Sequence, residues 1–223
     1  MKNKSLFLIA AGLPLLFSCG GQIEGEKASV DSIQRVGEIQ VETEKFKAKP
    51  EASSIQWVGK KPTRKHMGTL AVKNGHFEVF EHAILGGEFT LDMTSITNTD
   101  IKDPAYRADL ERHLKSEDFF HAEAFPEGTF VITDVSMLME PIEGSEATHM
   151  VSGNLSLRDT TNHIEFPAKI TMDETSVHLV SDQFVIDRTQ WKVMYNSGKL
   201  SDKLKDNLIK DEVGIKVEVK ASK

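Results

Sequence analysis

The sequence predicts an all-β fold, and three observations predict it. Apolar residues recur with a period of two from Ile55 to the C-terminus. Most of these runs have one apolar and one polar face, as antiparallel strands buried on one side do. No regular alternation of strand and helix appears, which argues against a doubly wound parallel sheet. Eight to ten such strands would close into a barrel or pack as a sandwich.

The strands can be read in order. Ile55, Trp57 and Gly59 alternate with Gln56, Val58 and Lys60. Thr69 to Val72 is a short run, and Asn74-Gly75 after it predicts a hairpin turn. Phe77 and Val79 alternate within His76 to Phe80. Gly86-Gly87 precedes the alternating Phe89, Leu91 and Met93. Thr129 to Val135 follows, then Val151, Gly153, Leu155 and Leu157, then Ile164, Phe166, Ala168, Ile170 and Met172. Val177 to Val180 and Gln183 to Asp187 come next. The last strand carries Val213, Ile215, Val217 and Val219 on one face.

One helix interrupts them. Asp103 suits an N-cap and Pro104 the first helical position. Tyr106, Leu110 and Leu114 form an apolar stripe, and Arg107–Glu111 and Glu111–Lys115 are spaced as i, i+4 ion pairs. Phe119 and Phe120 lie just past its end. A second short helix is expected from Ser201, burying Leu200, Leu204 and Leu208.

Charge and cysteine usage narrow the class of function. The 223 residues hold 27 Lys+Arg against 34 Asp+Glu, a net charge of −7. That balance argues against nucleic acid as a partner, since phosphates demand a basic surface. The one cysteine excludes a disulfide framework and any zinc site of two or four thiolates. It stands at position 19, behind a leader with Lys2, Lys4 and the apolar run Leu6 to Phe17. That run is too short to span a bilayer, which takes about 20 apolar residues. It reads as a signal-peptide core. Leu16-Phe17-Ser18-Cys19-Gly20 resembles a lipobox, with the Cys19 thiol as the acceptor of diacylglycerol. Cleavage there removes two of the 27 basic residues and no acids, leaving −9. The resulting division is 1–18 signal peptide, 19–53 lipidated Cys19 with a flexible tether, and 54–223 β domain. A free tether of that length would span roughly 30 Å.

Six stretches, in order, resemble the YceI-like family of bacterial envelope barrels that bind lipids and polyisoprenoids. They are Trp57 to Leu70 with its His66-Met-Gly68 turn, Gly86 to Ile96, and Leu114 to Phe120 followed by Phe125-Pro126. The others are Val151 to Thr161, Phe184 to Trp191, and Ile209 to Val213. Asp159 stands where the family's hairpin usually has Gly. The resemblance implies an extended antiparallel lipocalin-like β-barrel with one or two short helices near its mouth. It also implies a long cavity for an isoprenoid or fatty amphiphile. Periodicity alone leaves open whether such a barrel is hollow or filled by side chains.

On that resemblance the expected cavity wall is Trp57, Leu70, Phe77, Phe89, Leu91, Phe119, Phe130, Leu155, Leu157, Phe166, Ile170, Phe184 and Ile186. Asp118-Phe119-Phe120 would sit beside the mouth, as a gate or as a docked helix end. His66, Asp118 and Arg188 could contact a headgroup, with Arg158 and Asp187 in the same motifs; turn and strand-end bonding is the plainer role for such residues. The eight histidines show no His-Glu-x-x-His spacing, and no Gly-x-Ser-x-Gly elbow occurs. No metal, cofactor or catalytic set is expected. The expected function is a membrane-anchored envelope lipoprotein, periplasmic or surface-facing, that binds an apolar ligand. The alternative is a solid barrel that docks another protein. An outer-membrane barrel would need strands of about 9–11 residues, an apolar exterior and aromatic girdles. Most strand candidates are shorter, and the chain has two Trp and two Tyr.

Overall fold

In the computed structural model, which describes residues 23–200 and 207–223, the alternating runs become twelve strands and one α-helix among the described residues. The N-terminal strands are β1 (Glu26–Lys27), β2 (Ser29–Ser32) and β3 (Glu44–Ala48). Then come β4 (Ser54–Lys60), β5 (Lys65–Phe80) and β6 (Ala83–Asn98), followed by helix α1 (Pro104–Lys115). The rest are β7 (Glu127–Met137), β8 (His149–Leu157), β9 (Thr160–Met172), β10 (Ser176–Ser181), β11 (Phe184–Asp187) and β12 (Glu212–Ser222).

The sheet closes on itself. β4, β5, β6, β7, β8, β9, β10 and β12 form an antiparallel ring of eight, with β12 returning to β4. β3 extends the β4 stave past a 3-10 turn at Pro50–Ala52 and pairs with the same neighbours, β5 and β12. β11 likewise extends β10 along β12. Where β11 parts from β9, the chain's own N-terminal segment fills the wedge. β1 pairs in parallel with β11, and β2 antiparallel with β9.

That arrangement corrects the reading of residues 19–53 as a flexible tether ahead of a domain beginning at 54. From Ile23 onward the segment is a strap bound to the barrel. Gln34 exchanges two backbone bonds with the Asn154 side chain, at 3.0 and 2.8 Å. Ile39 lies against Gly86, and Phe46 is 2% exposed. These strands are two to five residues long, too short to show a period. They form because the barrel offers unpaired backbone edges.

Two turn expectations also change. Asn74-Gly75 is no hairpin; β5 runs straight through it. The register skips Lys73, a β-bulge that bends the long strand. Gly75 is required because a Cβ there would collide with the Glu88 carbonyl and the Phe89 ring. The turn falls at Glu81-His82, both left-handed at φ 47° and 64°, as a two-residue hairpin demands. In the β8–β9 turn the left-handed residue is Arg158, at φ 55°. Asp159 is not left-handed, so the missing glycine costs nothing there. Its carboxylate accepts from the Lys192 Nζ at 3.0 Å.

Helix α1 begins as the residues dictate, with the Asp103 side chain accepting from the Tyr106 N–H at 2.9 Å. The expected Glu111 ion pairs do not form. The Glu111 carboxylate instead accepts the Asn98 N–H at 2.8 Å, tying the helix to the end of β6. Tyr106 of the apolar stripe is half-exposed, while Leu110 and Leu114 turn toward the barrel. Of the second expected helix, residues 201–206 lie outside the described residues.

The strand-length argument against an outer-membrane barrel fails, since β5 and β6 have 16 residues each. The distribution of apolar residues is what separates the two cases. Here the core faces inward, on Phe77, Phe89, Ile132, Leu155, Phe166 and Leu179.

Candidate functional site: the barrel interior

The two ends of the barrel are filled differently. At the end bearing the β5–β6 turn, Phe46, Val79, Ile84, Val151, Ala168, Val177 and Ala221 are each at most 5% exposed, and none of them lines the apolar cavity of the barrel interior. At the other end the interior is hollow. The cavity there has a volume of about 230 Å³.

Period two decides which side chains face this space. From β4 and β5 come Trp57, Leu70 and Phe77; from β6, Phe89 and Leu91; from β7, Phe130. β8 supplies Leu155 and Leu157, β9 Phe166, and β11 Phe184 and Ile186. Phe119 joins them from the segment after α1. Ile170, expected in the same wall, does not reach the cavity. It lies two residues past Ala168, half-buried against the core, and its pair partner Leu179 takes the place on the cavity wall. Large rings shape the wall. Phe77 and Phe89 meet edge to face at 4.8 Å between centroids, and Phe166 stacks on Phe184 at 4.6 Å. Gly153 makes room for Phe130, whose ring would collide with any Cβ at that position.

One end of the cavity is covered by elements that the strand pattern does not reveal. Leu110 and Leu114 of α1, Phe120, Trp191, Val193 and Ile209 complete the wall there. Trp191 is fully buried and donates its indole N–H to the Leu155 carbonyl at 2.9 Å. The cover is pinned by polar side chains. Arg158 donates to the Phe119 carbonyl at 2.9 Å, and the Phe119 ring packs against His113 and Tyr195, at 5.0 and 5.3 Å between centroids. Phe119 is thus a docked cover residue.

The three candidate headgroup residues have different fates. Arg188, 5% exposed, lines the cavity, but its guanidinium is engaged. It donates to the carbonyls of Lys210, Val193 and Ile209, at 3.2, 2.6 and 3.1 Å, and to Asp211 at 3.3 Å. It organises the segment leading into β12. His66 also lines the cavity and is held by Asp100, whose carboxylate accepts from Nδ1 at 2.9 Å. Burial works against the Asp100 anion. Hydrogen bonds from the Met67 N–H, His66 and Asn98 outweigh it and hold the carboxyl below its ordinary range. Asp118 does not face the cavity. It is half-exposed and meets His113 Nε2 at 3.1 Å. Asp187 caps the 3-10 turn Arg188–Trp191 by accepting from the Thr189 N–H, and it pairs with Lys199 at 2.7 Å. Cys19 lies outside the described residues. Among the described residues no cluster of His, Cys, Asp and Glu has the arrangement of a metal site.

The wall holds one orphan. The Trp57 Nε1 is buried without a hydrogen-bond partner, and the indole lies over Gly68, where a Cβ would collide with it.

Comparison with known proteins bears on this geometry. The model of the YceI-like domain matches residues 46–221. Among solved structures, Burkholderia cenocepacia BcnA is similar at 18% identity and a TM-score of 0.53, over 78% of this chain and 99% of that one. A polyisoprenoid binding domain from Saccharophagus degradans, implicated in plant cell wall breakdown, is similar at 14% identity and a TM-score of 0.54. That likeness covers 79% of this chain and 97% of the other. At such identities the two likenesses establish the fold. No curated protein sequence matches.

Proposed function

Since the chain belongs to the YceI-like family, we propose that its barrel binds the tail of an isoprenoid-like or other amphiphilic lipid and sequesters or carries it. The observation that carries this reading is the apolar cavity walled by Phe77, Phe89, Phe130, Phe166 and Phe184. Burial of apolar surface yields about 25 cal/mol per Å² and has no direction. The wall would therefore hold a tail firmly while discriminating poorly between similar chains, since one methylene is worth only about 1–3 kcal/mol. The polyisoprenoid-binding description of the Saccharophagus degradans domain supports the same ligand class. The protein acts by binding, without catalysis.

Lipidation of Cys19 would place the barrel on an envelope membrane. Because Ile23 already lies against Gly214 of β12, the link from Cys19 would be four residues long, about 14 Å at full extension. The barrel would then lie close to the bilayer. Native mass spectrometry of the purified protein, with solvent extraction, tests the ligand. A co-purified amphiphile released by extraction is expected, and a barrel that neither carries nor takes up any apolar molecule would refute the reading. Cys19→Ala tests the anchor: the protein should move from the membrane to the soluble fraction.

A further inference from the structure

The cavity stops at the same step on several staves of the barrel. Along β12, Val213, Ile215, Val217 and Val219 all line it, and the next inward residue, Ala221, does not. One alternation likewise separates Phe77 from Val79 on β5, Phe166 from Ala168 on β9 and Leu179 from Val177 on β10. The residues past the step are each at most 5% exposed, so they form a floor. Phe46 is the one large ring among them. It is the cross-strand neighbour of Phe77. Phe77 faces the cavity, whereas Phe46 lines a depression at the outer end of the barrel with Glu42, Glu44, Glu81 and Glu174. The Lys223 ammonium lies 5.4 Å from the Phe46 ring. Beyond the floor, then, the surroundings are charged, while the surface of the cavity itself is almost wholly apolar.

From this we infer that the cavity gauges tail length, with Phe77 and Phe46 setting the limit. A tail lies with its terminal methyl toward this floor, and carbons beyond the depth of the cavity add nothing to binding. Val213 to Val219 spans six residues of β12, roughly 15 Å of depth at the usual rise and tilt of a barrel strand. The inference rests on the tail-binding reading. It adds a length limit to a wall that otherwise discriminates poorly between similar chains. Each methylene gains a similar increment while there is room to bury it. A carbon past the floor meets packed side chains or the charged depression, and neither rewards it.

The test varies the tail under one head. Saturated fatty acids of eight to eighteen carbons, below their micellar range, displace the apolar fluorophore phenylnaphthylamine from the delipidated protein. Affinity should rise about fourfold per added methylene up to a break, and stay level or fall beyond it. Leu179→Phe adds bulk at the last cavity position of β10 and should move the break to shorter acids. Phe46→Ala thins the floor and should move it to longer ones. Because Phe46→Ala also removes a buried ring, Leu179→Phe carries the test if that variant does not fold. A rise that continues unbroken to eighteen carbons, or a break that stays at one length in a folded variant, would overturn the gauge and leave tail binding standing. Failure of every acid to displace the fluorophore would remove the tail-binding reading beneath it.

Discussion

The packed end and the hollow end of this barrel are built by the same alternation from different side chains. At the packed end, Val79, Ile84, Val151, Ala168, Val177 and Ala221 are small or medium-sized and surround the one large ring, Phe46. At the hollow end, Phe89, Phe130, Phe166, Phe184 and Trp57 are large and leave a space. Bulk does not guarantee filling. Rings in the wall pack against one another, as Phe166 and Phe184 do. Small side chains let opposite walls meet. The difference teaches that a barrel can be fastened at one end and left open to a ligand at the other, with stability and binding drawn from separate sets of residues.

The largest expected effect sets one truncation against another. Phe46→Ala, in the packed end, should destabilise by about 3–5 kcal/mol in chemical denaturation. Phe130→Ala faces empty space on one side and has fewer contacts to lose, so it should cost about 1–2 kcal/mol while weakening ligand retention. Equal losses would erase the distinction between the ends. Enlargement gives the converse, at smaller cost. Val151→Phe has nowhere to go and should destabilise by about 1–3 kcal/mol. Ile132→Phe, on the cavity wall, should leave the denaturation midpoint near that of the parent and abolish uptake of an apolar fluorophore.

The smallest effect is a pH signature of the packed end's turn. The Thr175 N–H, the Ser176 hydroxyl and the Thr175 hydroxyl hold the Asp173 carboxyl at about 2, against an ordinary 3.8. A carboxyl depressed in the folded state stabilises above its unfolded value and loses that contribution as pH falls through its folded one. Asp173→Ala should therefore be slightly less stable than the parent at neutral pH, with the gap closing between 3.8 and about 2. A gap that persists unchanged in acid would show that the carboxylate's charge plays no part.

Much of this was legible in the sequence because a period of two fixes which way a side chain points. That suffices for Trp57, Phe77 and Phe184. It says nothing about height along the barrel axis, and there Ile170 departs from Phe166, four residues earlier on β9. Nor does alternation distinguish a wall from a filling, so the cavity was expected from the family resemblance and not from the pattern of residues. The strap was the least legible part, because its contribution at Gln34 is backbone alone.

That strap has a bearing on where the protein can be cut. The family match begins at residue 46, yet the backbone of β9 at Ile164 and Asn162 and of β11 at Phe184 and Val185 is covered by residues 26–32. A chain shortened to the matched region would bare two neighbouring strand edges at one seam, a template on which a second molecule's strand could add. The minimal unit that leaves neither edge bare is therefore expected to begin before Glu26, well upstream of the residues by which the family is recognised.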